Sequence, residues 1–172
     1  SKPWFSVDPI LVASQIVVSL QQVVSRNVKL TENAAVVTVG AINGGNRANI
    51  IPAQVEMLGD VRAFTNEDET LIYSRIKQIA EKTAEAAGAT AIVELPYGHK
   101  YPVTFNNIAL TNLMLPSLQK SAGVGNVMLV PANTGAEDFS FYAQKVPGLF
   151  FRLGGMPKGK DVKTAAPHHT PE

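Results

Sequence analysis

Gln54-Val55-Glu56-Met57-Leu58-Gly59-Asp60-Val61-Arg62-Ala63-Phe64, followed at once by Thr65-Asn66-Glu67-Asp68-Glu69, decides the fold. The first part alternates. Val55, Met57, Gly59, Val61 and Ala63 fall on one face, and Glu56, Leu58, Asp60 and Arg62 on the other, as in a strand packed on one side only. The period then changes to that of a helix from about 66 to 87, with Leu71, Ile72, Ile76, Ile79 and Ala80 as its apolar stripe. Thr65 with Asp68, or Asn66 with Glu69, forms a capping box at its start, and Gly88 closes it.

Upstream, Asp8 caps a first helix whose leading position is Pro9, where a missing N–H costs nothing. Ile10, Ala13, Ile16, Val17, Leu20, Val23 and Val24 recur at helical spacing along it. A β-branched, alternating run from Ala34 to Ala41 reads as a strand, and downstream Thr90 to Leu95 reads as a third. The order is helix, strand, strand, helix, strand. One further strand before Ser1 would complete a split β-α-β, ferredoxin-like sheet with two helices on one face.

The pattern changes around Tyr97 to Thr104, which divides the chain into residues 1–101 and 102–172. The second part reads as a helix near Asn107 to Ser121, a strand from Val127 to Val130, a short helix from Glu137 to Gln144 and a strand from Leu149 to Leu153. Pro116 weakens the first of these helices, because an interior proline removes a hydrogen bond and clashes with the preceding turn. This alternation predicts part of an α/β domain whose remainder lies elsewhere.

Composition narrows the function classes. The chain has 172 residues, 45% of them hydrophobic, which suffices for a real core. A formal net charge of +1 and the lack of any Lys/Arg cluster argue against a nucleic-acid partner. No apolar run approaches the ~18 residues of a membrane span, and no signal peptide opens the sequence. With no cysteine, disulfides and thiolate metal sites are excluded within these residues. The chain is expected to be a soluble bacterial protein, with nothing to decide between cytoplasm and periplasm. Ser1 in place of a Met leads us to expect that an N-terminal part is missing.

Four places could carry chemistry. Asn43 to Pro52 is too long for a simple hairpin loop. Its Gly44-Gly45 permits close backbone approach and its Asn49 offers both a donor and an acceptor, though a long turn held by Asn and Gly explains it equally well. Arg62 lies on the polar face of the returning strand, where its planar fork could grip a carboxylate, or could simply pair with Asp60 or Glu56. Gly135-Ala136-Glu137-Asp138-Phe139 sets two carboxylates at a strand-to-helix turn, either as ordinary helix-start acids or as a loop reaching an active site. His168-His169-Thr170-Pro171 has the residue type of a metal ligand, but one or two histidines fall short of the three protein ligands that a catalytic zinc site needs. His99 reads as structural or solvated.

In order, Pro3-Trp4, Val7-Asp8-Pro9-Ile10, Gly44-Gly45, Asn49-Ile50-Ile51-Pro52, Gly59-Asp60-Val61-Arg62, Gly135 to Phe139, Pro147-Gly148 and His168-His169-Thr170-Pro171 closely resemble the zinc-dependent amidohydrolases related to hippurate hydrolase. That group includes the indole-acetyl-amino-acid hydrolases and, more distantly, carboxypeptidase G. The resemblance covers essentially the whole chain. It implies that residues 1–101 are a lid or dimerisation domain lacking its first strand, and that 102–172 are the returning, incomplete part of an α/β metallopeptidase catalytic domain. By the same resemblance, His169 is the last metal ligand, and Asn49 and Arg62 are expected to engage the scissile amide oxygen or the substrate carboxylate across the dimer. Gly135 and Glu137 line the substrate site, and His168 has no assigned role.

The resemblance further implies two divalent metal ions, zinc first and manganese, cobalt or nickel as alternatives, held mostly by residues outside this chain. The expected substrate is an N-acyl amino acid or small peptide, the expected partner a second copy through the lid, with no nucleic acid and no membrane. The family's general-base glutamate and remaining ligands lie in a segment that this sequence does not contain, so the piece alone is expected to be inactive. A different class of function remains open beside it: a non-enzymatic dimerisation or small-ligand-binding module on the same ferredoxin-like sheet, since that sheet hosts many functions.

Overall fold

The computed structural model describes residues 2–156 and residue 159. Helix α1 spans Pro9–Asn27, strands β1 and β2 span Ala35–Asn43 and Glu56–Ala63, and helix α2 spans Asn66–Ala86. Helices α3, Ile108–Ala122, and α4, Phe139–Ala143, follow. Short 3-10 turns occupy Pro3–Phe5 and Val124–Asn126.

The helix ends have the chemistry expected of their residues. The Asp8 carboxylate accepts from the N–H groups of Ile10 at 2.9 Å and Leu11 at 3.3 Å, with Pro9 just inside. Thr65 is the cap of α2: its Oγ1 accepts from Asp68 N–H at 3.1 Å and donates to the Asp68 carboxylate at 2.8 Å. Asn33 Nδ2 donates to the same carboxylate at 2.9 Å, which fastens the approach to β1 onto the start of α2. At the far end Gly88 takes φ +76°. Its N–H bonds to Glu85 O at 3.0 Å and that of Ala89 to Ala84 O at 2.8 Å, the paired bonds that satisfy a helix's last carbonyls.

Strands β1 and β2 pair antiparallel, with Ala35 opposite Ala63, Val37 opposite Val61 and Thr38 opposite Asp60. The register shifts between Val39 and Ala41, so Gly40 bulges. Gly59 lies where a Cβ would come within 2.7 Å of Thr38 O, and the strands approach closely only because it has none. The inward residues Val37, Val39, Met57 and Val61 pack on both helices. The core beneath them is Val12, Ile16, Leu20 and Val23 of α1 with Ile72, Ile79, Ala80 and Ala84 of α2. Val23 and Ile72 are fully buried. Each such side chain contributes about 1.5–3 kcal/mol by leaving water. The α1 stripe therefore sits slightly off the expected one: Val12 is buried, whereas Ile10 is exposed at the helix start.

Three expected strands need correction. Residues 90–95, 127–130 and 149–153 join no ladder among the described residues. For 90–95 the reason lies in its surroundings. Ala89, Ala91 and Val93 turn toward the core at period two, but no strand lies alongside to exchange hydrogen bonds. The 149–153 segment is held instead by one side chain: Asn106 Oδ1 accepts from Phe150 N–H at 2.7 Å and Asn106 Nδ2 donates to Phe150 O at 2.9 Å, next to an isolated backbone bond from Asn107 N–H to Gly148 O at 2.8 Å. Helix α4 is shorter than expected. Helix α3 runs through Pro116, and none of its residues is buried.

Candidate active site

Arg62 projects from the face of β2 opposite the helices, because its neighbours Val61 and Ala63 take the packed face. Its Nε donates to Asp60 Oδ2 at 2.6 Å, so the surface ion pair foreseen from spacing exists. Both side chains are partly exposed, so the pair adds little to stability. It does fix the guanidinium from one side. Among the described residues the Nη groups have no hydrogen-bond partner, which leaves the end of the fork available to a second carboxylate. Asp60, an orienting group two residues from Arg62 on one strand face, was legible in the alternation but was read only as a competitor.

Arg62 borders an open cavity of about 1810 Å³ that reaches from β2 across to the loop at 133–137. Gly135 and Glu137 border the same cavity, so the structure brings three of the expected site residues to one space. Gly135 N–H bonds to Asn133 Oδ1 at 3.0 Å, which shapes that loop. Asp138 stands at the N-cap position of α4 without a side-chain capping bond. Glu137 is half-buried beside the cavity. Asn49 stands apart, exposed on the long loop, and does not line this space. His168 and His169 lie outside the described residues.

A second polar cluster was not foreseen. Glu69, near the start of α2, accepts from Tyr73 Oη at 3.2 Å and pairs with Lys100, on the segment between α2 and α3. Burial, and then the adjacent Glu69 carboxylate, push the Tyr73 phenol up from its ordinary value. Lys100 is 31 residues from Glu69 in sequence, so no local pattern announces the pair. His99 is exposed at the rim, consistent with a solvated residue. No group of three His, Asp or Glu side chains among the described residues could hold a metal ion. The described residues by themselves therefore do not fit a catalytic metal centre.

Architecture and site define a class first: an α+β lid, with two helices on one face of an antiparallel sheet, carrying an exposed strand arginine toward part of an α/β domain. The sequence profile of the peptidase dimerisation domain of M20 enzymes matches residues 1–88. The chain belongs to that family. It is 38% identical over 152 residues to N-acetyldiaminopimelate deacetylase of Leuconostoc citreum, an alignment covering 88% of this chain and 38% of the relative. With IAA-amino acid hydrolase ILR1-like 4 of Arabidopsis thaliana it is 34% identical, over 96% of this chain and 38% of the relative. The chain thus spans well under half the length of the curated relatives it matches.

Among solved structures, a Staphylococcus aureus protein described as an aminohydrolase superposes with TM-score 0.74 at 31% identity, over 86% of this chain and 37% of that one. The Bacillus subtilis YXEP protein, described as a dinuclear metal binding peptidase from the M20 family, gives TM-score 0.65 at 30% identity, over 83% and 35%. The expected fold class, a split β-α-β lid followed by a piece of an α/β metallopeptidase domain, agrees with both. No helix among the described residues is long and apolar enough to cross a membrane.

Proposed function

We propose that the protein of which residues 1–172 form part hydrolyses the amide bond of an N-acyl amino acid or small peptide with the help of two divalent metal ions. The observation that carries this reading is Arg62 with Asp60 at 2.6 Å, facing the cavity that Gly135 and Glu137 also border. It is supported by similarity to a deacetylase and to an amino-acid-conjugate hydrolase. When bound, the metals, zinc in our reading, polarise a carbonyl and supply hydroxide. His169 is our candidate for the one ligand that this chain contributes.

The chain's own residues then have separate tasks. Arg62, oriented by Asp60, binds the free carboxylate of the substrate through its Nη pair, a contact present in ground and transition states alike. Asn49, which does not border this cavity within one chain, donates to the amide oxygen of a substrate held by the second copy across the lid dimer, as charge develops there. Gly135, lacking a side chain, leaves room for substrate beside Glu137. Residues 1–101 form the lid and 102–172 the returning part of the catalytic domain. A second copy docks through the lid: the outer edge of β1 is unpaired among the described residues, and Leu11 and Val18 are exposed one heptad apart on α1.

Steady-state kinetics on the full-length enzyme with a hippurate-type substrate test these roles. Arg62→Ala is expected to cost roughly 2–5 kcal/mol, chiefly in KM, and Arg62→Lys to recover only part of it. Asn49→Ala is expected to lower kcat about a hundredfold with little change in KM. Near-wild-type constants for both folded variants would remove them from the site.

A further inference from the structure

We infer that Lys100 and Tyr101 form a clasp that sets the 133–137 loop at its working distance from Arg62, which makes both of them positioning residues for the substrate. The inference rests on the reading of Arg62 as the group that binds the substrate carboxylate. One end of the clasp is on α2. Strand β2 ends at Ala63 and α2 begins at Asn66, so the turn capped by Thr65 ties Glu69 closely to the strand that carries Arg62. The Tyr73 phenol, one turn further along α2, donates to the Glu69 carboxylate at 3.2 Å. The Glu69 side chain is only 16% exposed, so its pair with Lys100 is screened less than a surface pair. Among the described residues it is also the only ion pair that joins residues beyond 96 to α1, β1, β2 or α2.

The other end is on α4. Tyr101 lies one Cα step, about 3.8 Å, from Lys100. Its ring meets that of Phe141 with centroids 5.8 Å apart. Further along the same segment Asn106 holds Phe150 by two bonds, and the Phe150 ring lies 5.5 Å from that of Phe139 at the start of α4. Helix α4 is bonded in turn to the loop, Ser140 N–H to Glu137 O at 3.0 Å and Phe141 N–H to Asp138 O at 3.1 Å. Contacts therefore run from the strand of Arg62 through Glu69, Lys100, Tyr101 and Phe141 to Glu137. The loop and β2 border one cavity but share no hydrogen bond or ion pair of their own among the described residues. A substrate gripped by Arg62 meets the loop in register only while that run of contacts holds. A misplacement of about 1 Å can cost a hundredfold in rate.

The test uses the full-length enzyme as wild type, Lys100→Met, Tyr101→Leu and the charge swap Glu69→Lys with Lys100→Glu. Each is assayed with an N-acyl amino acid and with its amide, which Arg62 does not grip, and amide hydrogen exchange is followed at Ser140 and Phe141. Lys100→Met and Tyr101→Leu are each expected to lower kcat/KM about tenfold for the acid and about threefold or less for the amide, so that the preference for the acid shrinks. Exchange at Ser140 and Phe141 should quicken about tenfold in both, with α1 and α2 unchanged. The charge swap should bring both readouts back to within about threefold of wild type. Quickened exchange with an unchanged preference, or an equal loss on both substrates, would overturn the positioning role. So would wild-type values throughout for Lys100→Met. A wild type with no preference for the acid would instead fail the reading of Arg62. Exchange then decides the clasp by itself: unchanged rates in Lys100→Met overturn it, and quickened rates reversed by the swap sustain it.

Discussion

Residues 2–101 contain every buried hydrophobic side chain among the described residues, from Val12 to Ala84, whereas residues 102–156 contain none and leave Leu129 and Leu153 100% and 89% exposed. Both regions are rich in apolar residues, so composition does not separate them. The difference is one of partners. In the first region two helices and a hairpin close on one another within 80 residues of sequence. In the second, α3 has no buried residue and the 149–153 segment is held by Asn106 and Asn107 rather than by a ladder. A contiguous stretch of an α/β sheet does not contain its own core, because parallel strands find neighbours across long crossovers.

The contrast is broken most directly by truncating one apolar side chain in each region. Ile72→Ala, at a fully buried position, is expected to cost about 2–5 kcal/mol in chemical denaturation. Leu129→Ala is expected to stay within about 0.5 kcal/mol. Comparable losses at both sites would mean that the second region packs after all. Next in size, Thr65→Ala removes the cap of α2 and unties Asp68, and should lower the same midpoint by about 1–2 kcal/mol.

Asn106→Ala should have a smaller and more local effect. Its two bonds to Phe150 are exposed, so a loss of about 1 kcal/mol or less is expected, read as faster amide exchange at 148–151 and unchanged exchange in α1 and α2. The smallest effect is a pH dependence. Tyr73 has a folded pKa above its unfolded value, chiefly from burial and then from Glu69. Its stabilising contribution is therefore complete below about pH 10 and is lost as pH rises through the folded pKa. Tyr73→Phe should flatten the decline in stability above about pH 10. An identical alkaline decline in both proteins would remove Tyr73 from the account.

What the sequence made legible follows the same division. Asp8-Pro9, Thr65 with Asp68, and Gly88 were readable because caps are local chemistry, and the structure has each of them. The face assignment of β2 held because alternation fixes it. Residues 90–95 carry strand-like alternation, but a strand is defined by a neighbour, and no local pattern tells whether one is present. The Glu69–Lys100 pair escaped because it joins an α2 residue to one 31 positions on, beyond the reach of any local pattern. Arg62 was visible with its competitor Asp60 two residues away, yet spacing alone could not place Gly135 and Glu137 at the same cavity, some seventy residues on. That expectation came from the ordered set of motifs.

The role of Arg62 is tested most directly by neutralising its proposed partner. The full-length enzyme, wild type and Arg62→Ala, is assayed with an N-acyl amino acid and with the corresponding amino-acid amide, which lacks the carboxylate charge. If Arg62 binds that carboxylate, the wild type should favour the acid over the amide by roughly a hundredfold in kcat/KM, and Arg62→Ala should erase most of the preference by losing activity on the acid alone. Equal preference in both enzymes, or an equal loss on both substrates, would contradict the account.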